Sequence, residues 1–314
     1  MMRLDNGIDL SGGRSDRNTF LLIFGLLIAG FFIGQFVSTI FIAAFVVLNG
    51  GGLETLADPE LLFVSMSQTQ FMVAQVFYTI VFTFLTPWFY LKIFAKRSFS
   101  DISPNHETGF QQIILAIVGT IAFMFFNTIL IEWNAGLHLP EFMSGIEQWM
   151  KVTEEQLAET TIMMTTFDSF GSFLFAFVVI AILPGIGEEI MFRGILQNSL
   201  HKWTKNAHIA IWVSGFIFAA IHLQFYGLVP RMMLGVVFGY LYVWSGNIWF
   251  PIIAHITNNG LALIMTYMYQ LNATELDIDD TETVPEMISV IGLVVFVAVF
   301  YLFRKHFLKP KTEI

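Results

Sequence analysis

The sequence predicts an all-α, polytopic membrane protein, a helical bundle with about eight transmembrane helices. Hydrophobic residues make up 56% of the 314 residues and only 12% are charged, whereas a soluble domain has about a quarter charged residues. The mean hydropathy is +0.70, and several uncharged stretches reach the roughly 20 residues that a membrane span needs. Cysteine is absent, which excludes disulfides and thiolate chemistry. The net charge of −9 argues against a nucleic-acid partner, which calls for basic patches.

Eight apolar segments follow one another along the chain. The first three carry no charge, the fourth is predicted to end at the helix breakers Pro184, Gly185 and Gly187, and the fifth is short and contains His222. The stretch 232–274 has no Asp, Glu, Lys or Arg and is long enough for two spans, divided near residues 245–247. The segments are 20–48, 71–91, 110–131, 169–187, 209–226, the two halves of 232–274, and 287–303.

Basic residues in the short loops predict the orientation, because cytoplasmic loops are rich in Lys and Arg. They follow the second, fourth and eighth segments, whereas the loops after the first, third and seventh are acidic or neutral, with Lys151 as the main exception. Both termini are therefore predicted to be cytoplasmic, and Arg231 falls on the outer side. The basic residues are Lys92, Lys96, Arg97, Lys202, Lys205, Arg304, Lys305, Lys309 and Lys311.

The chain is predicted to have three regions that no long linker separates. Residues 1–168 hold three scaffold spans and a polar outer segment, residues 169–270 hold the catalytic core helices, and residues 271–314 hold an acidic loop, the last span and a basic cytoplasmic tail. Within the scaffold, residues 141–166 suit either an amphipathic helix at the membrane interface or an outer lid.

The first group of ionisable residues is Glu188, Glu189 and Arg193, directly after the fourth segment. Charges inside a membrane cost about 2.5–3.5 kcal/mol each on insertion scales and usually mark function. Glu189 and Arg193 stand four residues apart, which favours an ion pair, whereas Glu188 points about 100° away and is free to act as a base. A break at Pro184 would place both carboxylates near a helix start, where the dipole favours anions. The plainer interpretation is an interfacial salt bridge.

Two further polar groups lie in later segments: His222, and His255 with Asn259 four residues on. Taken singly, a membrane histidine is more often a packing residue than a ligand, and an Asn can join helices by hydrogen bonds. Together with the carboxylates, the histidines suit water activation, either as general bases or as metal ligands, and Asn259 can donate to a developing oxyanion. His222 would lie about 20 Å into its span, deeper than His255, so a tilt or a re-entrant turn must bring them level.

These groups resemble the signature of the CPBP family of intramembrane proteases, which contains the type II CAAX prenyl proteases and bacteriocin-processing enzymes and is also called the Abi family. The family pattern is Glu-Glu-x-x-x-Arg, Phe-x-x-x-His and His-x-x-x-Asn (or Asp) on successive membrane helices. Every position is present, and the resemblance covers residues 169–260. The matching residues are Glu188, Glu189, Arg193, Phe218, His222, His255 and Asn259.

The resemblance implies an intramembrane endopeptidase whose substrates are membrane-associated peptides or proteins, lipidated ones included; eukaryotic relatives remove the last three residues of prenylated CAAX proteins. It implies that Glu188 activates water with help from His222, and that His255 and Asn259 contact a metal or stabilise the oxyanion. A zinc ion held by Glu188, His222 and His255 and a metal-independent glutamate mechanism both remain open. The expected catalytic residues are Glu188, Glu189, Arg193, His222, His255 and Asn259.

Two other classes of protein stay open at this point. A non-catalytic scaffold or immunity-type protein would keep the pocket only to bind a peptide, and it should tolerate Glu188→Gln. An ion-coupled transporter would use Glu and His as a proton relay, but its polar groups should recur in both halves of the chain, whereas here they lie in one half. The leading expectation is a peptidase in a bacterial-type cell membrane.

Overall fold

Helices build the whole architecture that the structure describes. The computed structural model describes residues 7–58, 61–62, 65–274 and 284–308, and these contain no β-strand. Most of the predicted acidic loop, and the basic residues Lys309 and Lys311, lie outside those ranges. The helices are α1 (Asp16–Leu48), α2 (Leu53–Ala57), α3 (Gln68–Ala95), α4 (Phe110–Ala135), α5 (Ser144–Thr165), α6 (Phe170–Thr204), α7 (Ala207–Ala220), α8 (Leu228–Ser245), α9 (Trp249–Gln270) and α10 (Glu286–Leu308).

Six segments of the described chain are long and apolar enough to cross a membrane: α1, α3, α4, α6, α8 with the turn before it (Phe225–Ser245), and α10. This confirms the predicted all-α, polytopic membrane bundle. The count of eight spans is not confirmed. α7 is apolar but has only 14 residues, and α9 has 22 residues but includes the polar side chains of the third motif, which lower its hydropathy.

The long helices alternate in direction, so their ends meet at two opposite faces of the bundle. At one face, Asp16 at the start of α1 pairs with Lys205 after α6, with 2.7 Å between Oδ2 and Nζ. There too, Gln112 at the start of α4 bonds to His306 at the end of α10, at 3.1 Å. The predicted basic loops lie at this face, which we call the basic end. Its assignment to the cytoplasm stays a prediction.

At the opposite end, α5 lies across the ends of other helices. Gln68 Nε2 of α3 donates to the carbonyls of Met164 at 3.0 Å and Thr166 at 2.6 Å, and Gln270 Nε2 of α9 donates to Thr165 O at 2.7 Å. Several apolar side chains of α5 remain exposed, as an interfacial helix or a lid within the membrane surface requires. They are Ile146, Trp149, Val152 and Ile162.

The predicted break in the fourth span is wrong. α6 continues through Pro184 for 35 residues, about 52 Å at 1.5 Å per residue. Proline has no N–H for the carbonyl of Ile180, and the side-chain amide of Asn259 on α9 donates to that oxygen at 3.0 Å. π-Helical turns lie on either side of the proline, at Phe177–Ile182 and Ile190–Gln197. The two adjacent carboxylates therefore lie near the middle of a helix and not at its start.

The glycines beside this proline serve close helix packing. A Cβ on Gly185 would lie 2.6 Å from Cγ1 of Ile256 on α9, and a Cβ on Gly187 would lie 2.0 Å from Oγ1 of Thr83 on α3. Both distances are far below van der Waals contact. The segment that the sequence marks as a helix breaker is thus a place where α6 packs closely against α3 and α9.

Candidate active site

A buried ion pair forms the centre of the site. Arg193 Nη1 lies 2.9 Å from Glu189 Oε1, and neither side chain is more than 1% exposed. The same carboxylate oxygen lies 2.8 Å from Nδ1 of His255, which is also buried. Each group compensates the desolvation of the others, and removing one partner of such a pair typically costs about 3–5 kcal/mol. α6 and α9 are therefore joined at mid-bundle by a three-residue polar contact.

The guanidinium of Arg193 is fixed by α7 and α8. Its Nη2 donates to the carbonyl of Gly235 at 2.9 Å, and its Cζ lies 4.7 Å from the ring centre of Phe218 and 5.4 Å from that of Phe238. A Cβ on Gly235 would lie 3.0 Å from Cα of Gly215 and 3.3 Å from Nη2 of the arginine. The glycine thus lets α8 approach α7 closely enough to hold the arginine.

Glu188 faces the other edge of the His255 ring. Nε2 of His255 lies 4.0 Å from Glu188 Oε2, and the Glu188 side chain is 16% exposed. We assign the proton of the neutral imidazole to Nδ1, because Glu189 accepts there. The lone pair of Nε2 then points toward Glu188. Two acceptors 4.0 Å apart suit a water molecule that donates one hydrogen to each.

His222 lies in the turn just beyond α7, which ends at Ala220, so the predicted fifth segment runs past the end of its helix. The depth of His222 in a membrane stays a prediction. Nδ1 of this histidine lies 2.7 Å from the carbonyl of Phe218, while its backbone N–H bonds to Ala219 O at 3.2 Å. The side chain thus caps the helix end, and since a carbonyl can only accept, Nδ1 carries the proton and Nε2 is an acceptor.

The two predicted histidines meet one aromatic ring. Phe218 lies between α6 and α9, with its ring centre 5.1 Å from that of His222 and 5.9 Å from that of His255. No nitrogen of His222 comes within 4.0 Å of a carboxylate oxygen in the described residues, whereas His255 reaches both glutamates. The structure therefore pairs Glu188 with His255, where the resemblance expected His222.

Asn259 has a structural contact that sequence reasoning missed. Its Nδ2 bonds to Ile180 O on α6, as described above, and its Oδ1 accepts from Nδ2 of Asn258 at 3.0 Å. The amide is therefore fixed in orientation one turn from His255. Its second N–H hydrogen is left for the oxyanion contact, which stays a prediction.

The predicted zinc ligands do not form a metal site as they stand. Glu188, His222 and His255 do not converge, and no other group of three His, Asp or Glu side chains in the described ranges could hold a metal ion. We therefore derive no chemical step through a metal, and zinc binding stays a prediction.

The sequence pattern assigned no role to Arg231, which the structure places against the turn that follows His222. Arg231 is the fourth residue of α8, and its guanidinium folds back onto that turn, where Nη2 bonds to Oε1 of Gln224 and Nη1 lies 3.5 Å from Gly227 O. The signal was present in the sequence as an isolated charge between apolar stretches, but it counted only as an exception to the orientation rule.

Known proteins share the segment that contains this site. Residues 170–261 match the family model for "Type II CAAX prenyl endopeptidase Rce1-like", which confirms the resemblance over that segment. No solved structure matches the chain.

Three bacterial proteins are similar over part of their length. A Bacillus subtilis (strain 168) protein described as "Putative membrane peptidase YdiL" is 35% identical over 88 residues, which is 28% of this chain and 36% of that protein. The "Membrane-embedded CAAX protease MroQ" of Staphylococcus aureus (strain USA300) is 34% identical over 96 residues, 29% of this chain and 38% of the relative. The "Uncharacterized protein YpbD" of B. subtilis (strain 168) is 33% identical over 82 residues, 25% and 39%. The similarity thus spans less than two fifths of each relative.

Proposed function

We propose that this chain, whose residues 170–261 match the Rce1-like CAAX endopeptidase family, is an intramembrane endopeptidase of a bacterial-type cell membrane. The single observation that supports this most is the 4.0 Å approach of Glu188 to His255 Nε2, with His255 held on its other side by a buried Glu–Arg pair. A general base needs a fixed partner and access to water, and Glu188 is the carboxylate of the pair that is partly exposed.

In the proposed reaction, Glu188 removes a proton from a water molecule that also donates to His255 Nε2. The water oxygen then bonds to the carbonyl carbon of the peptide, and the carbonyl oxygen takes the negative charge. We assign Asn259 to donate its remaining N–H to that oxyanion. The proton passes from Glu188 to the amide nitrogen as the C–N bond breaks, which yields a new amine and a new carboxylic acid that then loses its proton to the amine or to water.

The position of the site favours membrane-associated substrates. Glu188 lies near the middle of a helix that is long enough to span a bilayer, so the scissile bond must enter the membrane to reach it. Transfer into the membrane costs less free energy for apolar or lipidated peptides, because each buried CH₂ group stabilises the inserted state by about 0.8 kcal/mol. We therefore propose tails of membrane proteins, leader peptides and lipidated peptides as the substrate class.

The test compares peptide termini in membranes that contain the wild type, Glu188→Gln or Glu159→Gln at matched expression, by mass spectrometry. Glu159 is an exposed residue of α5, so its substitution controls for the loss of one carboxylate. We expect new termini in the wild type and the control that vanish in Glu188→Gln. Identical termini in all three membranes, with the Glu188 variant folded, would refute proteolysis and favour a peptide-binding scaffold. A chelator arm in wild-type membranes reports whether activity needs a metal.

A further inference from the structure

Arg231 lies within the candidate span Phe225–Ser245, and among the described residues no carboxylate neutralises its charge by contact. No carboxylate oxygen lies within 4.0 Å of its guanidinium in the described chain, in contrast to Arg193, which is paired with Glu189. Its hydrogen-bond partners are the neutral oxygens of Gln224 and Gly227. Charges within membrane segments are costly and usually serve a ligand or a partner. The side chain is only partly exposed, so water alone does not account for it.

Two carboxylates act on Arg231 at longer range. They are Glu154 of α5 and Glu188 of the site. Glu154 is engaged elsewhere, because its Oε2 accepts from the backbone N–H of Tyr226 at 2.9 Å. Glu188 faces Nε2 of His255 at 4.0 Å. The arginine therefore contributes positive potential to the space between α5 and the reacting groups, and keeps donors free for another acceptor.

The guanidinium is oriented by the turn that connects α7 to α8. Gly227 leaves room for the guanidinium, since a Cβ there would lie 3.2 Å from Nη1 and 3.8 Å from Cζ. The same turn begins just after His222, so the arginine is held next to the site by the backbone that also holds a motif histidine. A guanidinium has five N–H donors in a planar fork that fits a carboxylate with two parallel hydrogen bonds. Two of its nitrogens have contacts within the protein, and both contacts are to neutral oxygens.

We propose that Arg231 binds a carboxylate of the peptide substrate, beside the bond that the water activated by Glu188 attacks. This inference rests on the proposed function and names the group that such a substrate presents. The carboxylate can be the C-terminus of the peptide or an Asp or Glu side chain close to the scissile bond. A carboxylate anchored there sets which peptide bond reaches the catalytic water.

The test measures binding, so it does not depend on cleavage. Protein carrying Glu188→Gln is purified in detergent, and the probe is a fluorescein-labelled peptide with one S-farnesylated cysteine near an apolar C-terminus. Fluorescence anisotropy compares the free acid with its C-terminal amide, and a second pair has Asp or Asn at an internal position before an amidated C-terminus. We expect about a tenfold or greater preference for an acid within one of the pairs, as charge-assisted hydrogen bonds give. The pair that shows it identifies the source of the carboxylate.

Substitution of Arg231 in the Glu188→Gln background distinguishes a role in binding the carboxylate from a role in stabilising the α7–α8 turn. Arg231→Gln should bring the acid-to-amide ratio to about one and leave amide binding unchanged, Arg231→Lys should keep part of the preference, and the exposed-site control Arg97→Gln should keep all of it. Equal binding of acid and amide by protein with Arg231 intact would overturn the proposal. So would a variant that weakens both peptides equally and keeps the ratio.

The outcomes also separate this proposal from the proposed function. Cleavage by the wild type without any acid preference would leave the protease assignment intact and remove the carboxylate site. An acid preference that depends on Arg231, in a protein that cleaves nothing, would leave a carboxylate-binding peptide scaffold. If Arg231→Gln does not fold, the proposal is tested by the acid-to-amide comparison in protein with Arg231 intact and by the Arg231→Lys variant.

Discussion

Substitution of Arg193 by Met should destabilise the protein by more than an ordinary core change. The variant leaves Glu189 as a buried carboxylate without its cation, which costs about 3–5 kcal/mol. It also leaves the carbonyl of Gly235 without the N–H that now lies 2.9 Å away, which adds about 1 kcal/mol. The sum of about 4–6 kcal/mol approaches the whole stability of many domains, about 5–15 kcal/mol.

The double variant Glu189→Gln/Arg193→Met tests the electrostatic origin of this loss. Both charges are then absent, and the Gln oxygen can still accept from His255. We expect the double variant to recover at least about 2 kcal/mol of the single-variant loss, the scale of coupling within one ion-pair network. Unfolding is followed by tryptophan fluorescence in detergent, with Arg97→Met as an exposed control that should stay within about 0.5 kcal/mol of the wild type.

Two results would refute this reasoning. A loss below about 1 kcal/mol for Arg193→Met would mean that the carboxylate is solvated or protonated without the arginine. If the losses in unfolding free energy of the two single variants simply add in the double variant, the pair stabilises the protein through packing and not through charge compensation.

Two further predictions concern the packing of α6. Asn259→Leu should lower the free energy of unfolding by about 1–3 kcal/mol, because it leaves Ile180 O without its side-chain donor. In a Pro184→Ala background the loss should be smaller, because the new backbone N–H can bond to that oxygen. Equal losses in both backgrounds, in the same unfolding assay, would show that the two residues are uncoupled. Gly187→Ala should lower the melting temperature in detergent, through a clash that costs about 1–3 kcal/mol or more. The control Gly25→Ala in α1 has nothing within 4 Å of the added Cβ and should be neutral or stabilising. A neutral Gly187→Ala would contradict the close packing against α3.

Hydropathy predicted the helices of this protein well because a bilayer leaves the backbone few alternatives to a helix. The predicted segments 20–48, 71–91 and 110–131 each lie within one observed helix, and all three helices extend a few residues further. The spacing of Glu189 and Arg193 indicated a shared face, and they do form a pair. Local periodicity was sufficient for these features.

The errors arose where a distant helix decides the outcome. Pro184 was expected to end a helix, because a proline in water leaves a carbonyl unpaired; here a side chain 75 positions later in the sequence donates to that carbonyl. The predicted fifth segment ran past His222 because apolar residues continue past the end of α7. The packing of α6, α8 and α9 decides which histidine lies nearer to Glu188 and which groups lie beside Arg231. No local sequence pattern contains that information.

The unbroken course of α6 has a consequence for where this protein would cut. Glu188, the proposed base, belongs to one continuous helix that reaches from the basic end to the α5 end and packs closely on both sides at Gly185 and Gly187. The depth of Glu188 below either membrane surface is therefore set by the position of α6 in the bilayer. Under the proposed function, the peptide bond that is hydrolysed would be the one that the membrane anchor of the substrate holds at the depth of Glu188.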